Sequence, residues 1–105
     1  MPYSRNDVVL LPIPFTDLSS SKVRPAIVIG KGPWPGDLFV TPVTSQMANT
    51  DLKITCWAEA GLNVPSGVKG QICTIEDRLV RKVIDCISEQ DQLALDGLLR
   101  SWLSL

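Results

Sequence analysis

Short apolar runs, separated by turn-forming residues, dominate roughly the first eighty positions of the chain. Runs rich in Val and Ile, bounded by Gly, Pro, Asn and Asp, are typical of β-strands. The pattern predicts roughly five to seven strands. The clearest of them cover residues 8–13, 25–29, 38–43, 71–75 and 79–87. A long polar loop is predicted at residues 14–22, between the first two strands.

Apolar and polar residues alternate over residues 52–57, which predicts a further, half-buried strand. Near the C-terminus the pattern becomes helical: Ser88 and Asp91 predict an N-cap, and a helix should begin at Glu89. Its apolar stripe consists of Leu95, Leu98, Leu99 and Trp102. We expect this stripe to belong to the core rather than to a groove for a partner. Strands followed by one helix predict a mainly β, closed or half-closed barrel.

Length and composition indicate one globular domain that spans residues 1–105. Ten Lys and Arg oppose eleven Asp and Glu, which gives a net charge of -1 and an isoelectric point near 5.2. A protein with this balance does not attract nucleic acid over its whole surface, so any anion site must be local. The sequence has neither a signal-peptide hydrophobic region nor a long apolar segment, which predicts a cytoplasmic protein that does not span a membrane.

The residues available for chemistry are restricted, because the chain contains no histidine. This absence excludes histidine acid–base pairs, Ser-His-Asp and Cys-His nucleophiles, and metal sites that use histidine. Cys56, Cys73 and Cys86 form no C-x-x-C motif and lie in apolar stretches. We therefore expect buried, reduced thiols rather than disulfides or metal ligands, and neither a metal ion nor another cofactor is predicted.

Two polar segments at strand ends could carry function. The first loop ends in Lys22 and Arg24, and Pro25 holds Arg24 in an extended conformation at the start of the second strand. Arg24 could bind an anion, or it could simply form a salt bridge with Asp17 or another carboxylate. Residues 44–46 follow the third strand and offer two hydroxyls and an amide, which fit either a binding site or a turn.

An ordered series of short motifs extends through nearly the whole chain. It comprises DVVLLPIPFTDLS at 7–19, SK-x-RPA-x-V at 21–28, GDL at 36–38, PVTSQ at 42–46, GL and PS within 61–66, and Gln71 before Thr74. The series resembles the MazF/PemK family of toxin–antitoxin ribonucleases, and the C-terminal helix also fits. Asn6 departs from the pattern, because many members have glycine there; the change affects the turn before the first strand more than the chemistry.

The resemblance implies an SH3-like barrel of the MazF/PemK/CcdB type with a C-terminal helix, usually a homodimer. Such proteins cut single-stranded RNA, including mRNA, at short sequences without a metal ion, and a cognate antitoxin silences them. The family's catalytic arginine falls on Arg24 and its catalytic threonine on Thr44. Operator DNA would be bound only through the complex with the antitoxin, because the acidic balance of this chain gives poor affinity for DNA.

Elementary chemistry agrees with these two roles. A guanidinium group stays charged and can donate two parallel hydrogen bonds to phosphoryl oxygens, whereas a hydroxyl can orient a nucleophile or bind a phosphate oxygen. We expect attack by the 2′-hydroxyl, which leaves 2′,3′-cyclic phosphate and 5′-hydroxyl ends. The general base stays open between Asp17 and Arg24 acting with solvent. The candidate RNA-binding residues are Phe15, Asp17, Lys22, Ser45, Gln46, Lys69 and Gln71.

The sequence leaves two questions open, the role of Trp34 and the kind of target. Trp34 could pack within its loop, contact a second subunit or an antitoxin, or stack on an RNA base. The whole protein could also be a non-catalytic barrel that binds a protein target such as gyrase, since related barrels have different targets. The acidic balance is compatible with that function, whereas the presence of both Arg24 and Thr44 argues for an enzyme.

Overall fold

The computed structural model describes residues 3–12 and 23–105, so the predicted loop at 14–22 lies outside the described residues. The strands are β1 (Asp7–Pro12), β2 (Val23–Lys31), β3 (Asp37–Thr44), β4 (Leu52–Lys53), β5 (Gly67–Val68), β6 (Cys73–Glu76) and β7 (Lys82–Cys86). One helix, α1, covers Glu89–Leu103, and single 3-10 turns cover Met47–Asn49 and Asp77–Leu79. No helix among the described residues is long and apolar enough to cross a membrane.

The strands form one antiparallel sheet in the order β4-β5-β3-β2-β1-β7. Strand β3 pairs with β2 along one edge, and along the other edge with β6 near its start and β5 near its end. Within the described part of the chain no ladder joins β7 to β4 or β6, so the sheet is not closed. The predicted mainly β, barrel-like fold with a C-terminal helix is confirmed in its half-closed form.

Each face of the sheet carries its own apolar cluster, because successive side chains of a strand point to opposite faces. The helix-side cluster contains Val8, Ile27, Val43, Ile54, Ala60, Leu62, Val68, Ile87, Leu95 and Leu99. The inner cluster contains Val9, Leu11, Ala26, Val28, Leu38 and Val40. No helical residue belongs to the inner cluster, yet none of its six members exceeds 3% exposure. Tyr3, Cys73, Ile75 and Val80 pack against it, so strand β6 and two segments that flank strands help to cover this second cluster.

Helix α1 begins where the sequence predicts. The Ser88 side chain accepts a hydrogen bond from the Asp91 backbone N–H at 3.2 Å, which satisfies one of the free donors of the first turn. Leu95 and Leu99 are buried in the helix-side cluster, and Leu98 and Trp102 pack against it. The predicted stripe is thus part of the core.

The predicted strand at residues 52–57 is wrong beyond Lys53. Backbone N–H groups that a strand would use for pairing are bound elsewhere: Thr55 and Cys56 each donate to the Asp91 carboxylate at 2.9 Å. The chain then turns, and the Ala60 N–H donates to the Cys56 carbonyl at 3.2 Å. A carboxylate on α1 therefore ends the strand that the alternating pattern favours.

The cysteines are free thiols, as predicted, but they are not all buried. Cys56 and Cys73 are half-buried, and Cys86 is exposed. Cys86 lies at the end of β7, which has a pairing partner on one side only among the described strands. An edge strand exposes more of its side chains than a central one, so the apolar run around Cys86 does not bury it.

Asn6 occupies the turn before β1 with φ of +79°. Its backbone N–H donates to the Val28 carbonyl at 2.7 Å, and its carbonyl accepts from Ile87 at 3.1 Å. Glycine and asparagine tolerate this left-handed conformation better than other residues. The departure at Asn6 therefore preserves the backbone turn that glycine would make.

Gly97 is an exposed glycine in the middle of α1, and a Cβ added to it would meet no atom within 4 Å. Replacement of Gly97 by alanine should raise the free energy of unfolding by about 1 kcal/mol, because alanine loses less backbone entropy in a helix. Urea unfolding measures the change. The matched control, Ala94→Gly on the same exposed surface, should lower stability by a similar amount. A Gly97→Ala variant less stable than the wild type would contradict the prediction.

Candidate active site at the end of the sheet

The two predicted catalytic residues lie at the ends of neighbouring strands. Strands β2 and β3 pair one to one at Ala26 with Pro42 and at Ile27 with Thr41. Continuing this register by two residues brings Arg24 opposite Thr44. Directly opposed residues of an antiparallel pair share a face, with their Cβ atoms about 5 Å apart. The ladder itself ends at Ala26 and Pro42, so its register predicts that two residues twenty positions apart in the sequence lie close together just beyond that end.

Arg24 and Thr44 belong to the inner face of the sheet. Arg24 pairs with Leu11 of β1, and Leu11 belongs to the inner cluster, as does Ala26 two residues further along β2. By alternation the Arg24 and Thr44 side chains follow this cluster at its open end. Arg24 is exposed and Thr44 half-buried, as expected at a rim. We call this end of the curled sheet, defined by Arg24 and Thr44, the barrel mouth.

Lys69 and Gln71 lie beside β3 next to the barrel mouth. The Lys69 N–H donates to the Pro42 carbonyl at 3.0 Å. The fully buried Thr41 hydroxyl lies 3.1 Å from the Lys69 carbonyl and 2.8 Å from the Gln71 carbonyl. One buried side chain therefore holds the segment that carries two of the predicted RNA-binding residues.

The Gln71 side chain is directed to the inner face. Its amide donates to the Sγ atom of Cys73 at 3.4 Å, and Cys73 packs against the inner cluster. Burial raises the pKa of the Cys73 thiol, and the Gln71 hydrogen bond and the charge of Lys69 offset this only in part. Cys73 therefore stays a protonated thiol at neutral pH, unsuited to be a nucleophile.

Residues 44–46 form a turn that leaves the hydroxyl hydrogen of Thr44 available for a ligand. The Thr44 Oγ1 atom accepts a hydrogen bond from the Gln46 N–H at 3.1 Å. The hydroxyl hydrogen of Thr44 has no acceptor among the described residues, so it can be donated to a ligand. Ser45 and Gln46 are exposed beside it. The turn and the binding interpretation of this segment are thus compatible.

The partners of Arg24 are only partly defined by the described residues. Within residues 3–12 and 23–105 no carboxylate forms an ion pair with Arg24. Phe15, Asp17 and Lys22 lie outside the described residues, so their placement and the predicted Asp17 salt bridge stay untested. Among the described residues no group of three or more acidic or cysteine side chains could hold a metal ion.

Trp34 lies at the opposite end of the β2–β3 hairpin. Its carbonyl accepts from the Asp37 N–H at 3.1 Å, and its side chain is 73% exposed, which contradicts packing within the loop. Strand β2 ends at Lys31, and seven residues at about 3.3 Å each place that end about 23 Å from Arg24. Trp34 is therefore too far from Arg24 to stack on a base next to the scissile phosphate in the same subunit, and contact with a second subunit or an antitoxin, or stacking on a more distant RNA base, stay predictions.

Sequence reasoning missed a group of residues near the barrel mouth, on the face of the sheet that packs against α1. Lys82, Asn63 and Ser66 line a cleft there, of about 510 Å³, whose rim includes Arg24. The signal was weak: Lys82 follows Arg81 in a basic pair, but nothing in the sequence shows that β1 lies between Lys82 and β2.

Replacement of Thr41 by valine should lower the free energy of unfolding by about 1–3 kcal/mol, because the Lys69 and Gln71 carbonyls lose the single buried hydroxyl donor that they share. Urea unfolding measures the loss. The Thr41→Ser variant keeps the hydroxyl and loses only a methyl group, so it should lose about 1 kcal/mol or less. Equal stability of Thr41→Val and the wild type would show that the hydroxyl does not hold residues 69–71.

Comparison with protein-family models matches residues 4–103 to a family described as PemK-like, MazF-like toxin of type II toxin–antitoxin systems. The matched region contains every strand of the sheet and the whole of α1. It also contains all the residues of the barrel mouth. Comparison with curated protein sequences finds no significant match.

Proposed function

Because the chain belongs to the PemK-like, MazF-like toxin family of type II toxin–antitoxin systems, we propose that it is an endoribonuclease that cuts single-stranded mRNA at short sequences. The observation that best supports the proposal is the β2–β3 register: its last pair is Ala26 with Pro42, and two further residues along the same register would bring Arg24 opposite Thr44 at the barrel mouth. A permanent cation and a hydroxyl donor side by side fit one phosphodiester group. The reaction needs no metal ion in this proposal.

The proposed reaction is an internal transfer. The 2′-hydroxyl oxygen attacks the adjacent phosphorus, its proton is removed, the P–O5′ bond breaks and the departing O5′ atom takes up a proton. The products are a 2′,3′-cyclic phosphate and a 5′-hydroxyl end. Arg24 donates two hydrogen bonds to the non-bridging oxygens and stabilises the charge that grows on them. Alignment and electrostatic stabilisation supply most of the acceleration.

Thr44 serves as a hydrogen-bond partner of the reacting group. Its oxygen already accepts from the Gln46 N–H, which orients its hydrogen for donation to a phosphate oxygen. Asp17 and Arg24 acting with solvent are the two candidates for the general base. Ser45, Gln46, Lys69 and Gln71 surround the pair and contact RNA in this proposal, together with Phe15, Asp17 and Lys22 of the first loop.

A toxin of a type II system has an antitoxin partner. We propose that a flexible acidic and apolar segment of the antitoxin occupies the barrel mouth, pairs with Arg24 and so blocks RNA. The toxin acts as a homodimer in the cytoplasm, and operator DNA is bound only through the antitoxin complex. Size-exclusion chromatography with light scattering tests the homodimer.

Cleavage of a long, mixed-sequence RNA in excess EDTA tests the proposed activity. We expect discrete cuts with 2′,3′-cyclic phosphate and 5′-hydroxyl ends, and the mapped cuts give the recognised sequence. Ends with a 5′-phosphate, or cuts that require a divalent metal, would contradict the mechanism. The absence of cuts by folded, antitoxin-free protein would favour the alternative, a barrel that binds a protein target such as gyrase.

A further inference from the structure

Apart from Arg24 and Ser45, the residues that line the cleft on the helix side of the barrel mouth have no role in the reaction described above. Its apolar floor is formed by Leu10, Val23, Pro25, Val43, Leu62, Val64 and Ile84. Its polar lining consists of Arg24, Ser45, Asn63, Ser66 and Lys82. A volume of about 510 Å³ lies in the range of small-molecule sites, about 300–1,000 Å³. The cleft is thus large enough for a nucleotide unit.

The position of Lys82 in this cleft follows from strand pairing. Leu10 of β1 pairs with Pro25 of β2 on one side and with Lys82 of β7 on the other. Directly opposed residues share a face, so these three form one row across the sheet. The row lies one residue away from Arg24 along β2, on the other face of the sheet. Arg24 at the strand end therefore separates the cleft from the barrel mouth.

The charges of the cleft select an anionic occupant. Lys82 and Arg24 line it, and no described carboxylate does. Lys82 is exposed and forms no ion pair with any described acid. Since the protein as a whole has a net charge of -1, two cations without a described counter-charge mark a local site for an anion.

The other wall offers a polar group for recognition. Gly61 has φ of +84°, and a Cβ at this position would collide with Ile84, so a glycine is required for the segment to pack against β7. Of the two residues that follow Gly61, Leu62 is buried in the core and Asn63 is exposed. No hydrogen bond of the Asn63 side chain is found among the described residues, so its amide can donate to and accept from a base edge.

We propose that this cleft binds the nucleotide next to the scissile phosphate, with Lys82 on its outer phosphate, its base on the apolar floor and Asn63 on the base edge. The inference rests on the proposed ribonuclease function. RNA is favoured because Arg24 belongs to both places, so a strand whose phosphate contacts Arg24 continues directly into the cleft. The apolar floor of the cleft lies between Arg24 and Lys82. This arrangement fits a nucleotide, whose base lies between two phosphates, better than it fits a small free anion.

The test is RNA binding by Lys82→Ala, with Lys31→Ala as matched control. Lys31 is an exposed cation at the far end of β2, so its removal changes the net charge equally. The probe is a fluorescein-labelled RNA that spans a mapped cut site and carries a 2′-O-methyl group at the cut. Lys82→Ala should raise Kd about fivefold to tenfold in fluorescence anisotropy at fixed salt, and lower the slope of log affinity against log salt by about one.

Two further readouts separate this binding role from catalysis and from damage to the fold. Lys82→Ala should lose more of the single-turnover rate at subsaturating than at saturating RNA, because Lys82 contacts the outer phosphate and not the scissile one. Asn63→Ala should change the preferred base at one flanking position when RNAs varied at each position are compared. Urea unfolding should give both variants the stability of the wild type within about 0.5 kcal/mol.

The outcomes distinguish this inference from the proposed function. Cleavage by the wild type, with Kd equal for Lys82→Ala and Lys31→Ala, overturns the cleft assignment and keeps the ribonuclease. If Lys82→Ala binds RNA as the wild type does but binds an acidic antitoxin peptide more weakly, the cleft is a site for protein and the RNA assignment is overturned. If the wild type cuts no RNA, unmodified mixed-sequence RNA is used as the binding probe. Binding that is weakened by Lys82→Ala then supports the cleft as an RNA site without the ribonuclease function. The absence of RNA binding overturns both the cleft assignment and the ribonuclease function.

Discussion

Replacement of Arg24 by alanine should lower the single-turnover rate of RNA cleavage by about 10²–10³, the usual cost of removing one donor that stabilises a developing oxyanion. The loss should appear in the rate at saturating RNA, because Arg24 contacts the phosphate whose charge grows in the transition state. Arg24→Lys keeps a cation but not two parallel hydrogen bonds, so it should recover only part of the rate. Quenched-flow or gel assays in EDTA measure all three proteins.

The matched control is Arg78→Ala. Arg78 is an exposed arginine on the 3-10 turn, where it pairs with Glu76, and its removal changes the net charge as Arg24→Ala does. We expect this control to cut RNA at the wild-type rate within about twofold. An Arg24→Ala variant that cuts equally fast would remove the guanidinium from the mechanism. One that loses cleavage but still arrests growth would point to a protein target.

The positions of the candidate catalytic residues depend on a detail that the sequence does not reveal. At the turn end of the β2–β3 hairpin Lys31 pairs with Leu38, and this register, continued along the strands, would set Arg24 opposite Ser45. An irregularity between Val28 and Gly30 shifts the pairing by one residue. A one-residue shift turns every later side chain to the other face. The strands themselves were predictable from their apolar runs, but the register that directs Arg24 toward Thr44 rather than Ser45 was not.

The cleft illustrates a second limit of sequence reasoning. Lys82 reaches the neighbourhood of Pro25 because both pair with Leu10 of β1, although they are far apart in the chain. A hydrophobic pattern reports which residues form a strand and which face they use, but it contains no record of which strands are neighbours. Candidates such as Arg24 and Thr44 could be chosen because they end strands that are adjacent in sequence. Lys82 and Asn63 needed the complete sheet.

Asp91 shows the same limit in the segment that follows β4. Its role as an N-terminal helix residue was predictable from the spacing to Ser88, whereas its hydrogen bonds to Thr55 and Cys56 join residues about 36 positions apart. These bonds convert an alternating segment into a turn. The chain continues from this turn to Leu62 and Asn63, which line the cleft. The Asp91 carboxylate therefore organises both the start of α1 and one wall of the cleft.

Replacement of Asp91 by alanine should therefore lower the free energy of unfolding by about 3 kcal/mol. The carboxylate is 2% exposed and accepts from Thr55 N–H and Cys56 N–H at 2.9 Å each and from the Ser88 hydroxyl at 3.1 Å. Alanine leaves the two backbone donors without an acceptor, at about 1–3 kcal/mol each, and removes a negative charge from the helix N-terminus. Equilibrium unfolding in urea measures the difference.

Two comparisons separate the hydrogen bonds of Asp91 from its charge. Asp91→Asn keeps one acceptor oxygen and should lose roughly half as much stability. Glu89→Ala removes a carboxylate from the same first turn, where Glu89 is exposed, and should cost about 0.5 kcal/mol or less. If Asp91→Ala cost no more than Glu89→Ala, the charge at the helix end would explain the whole effect. The tie between α1 and residues 55–56 would then contribute nothing to stability.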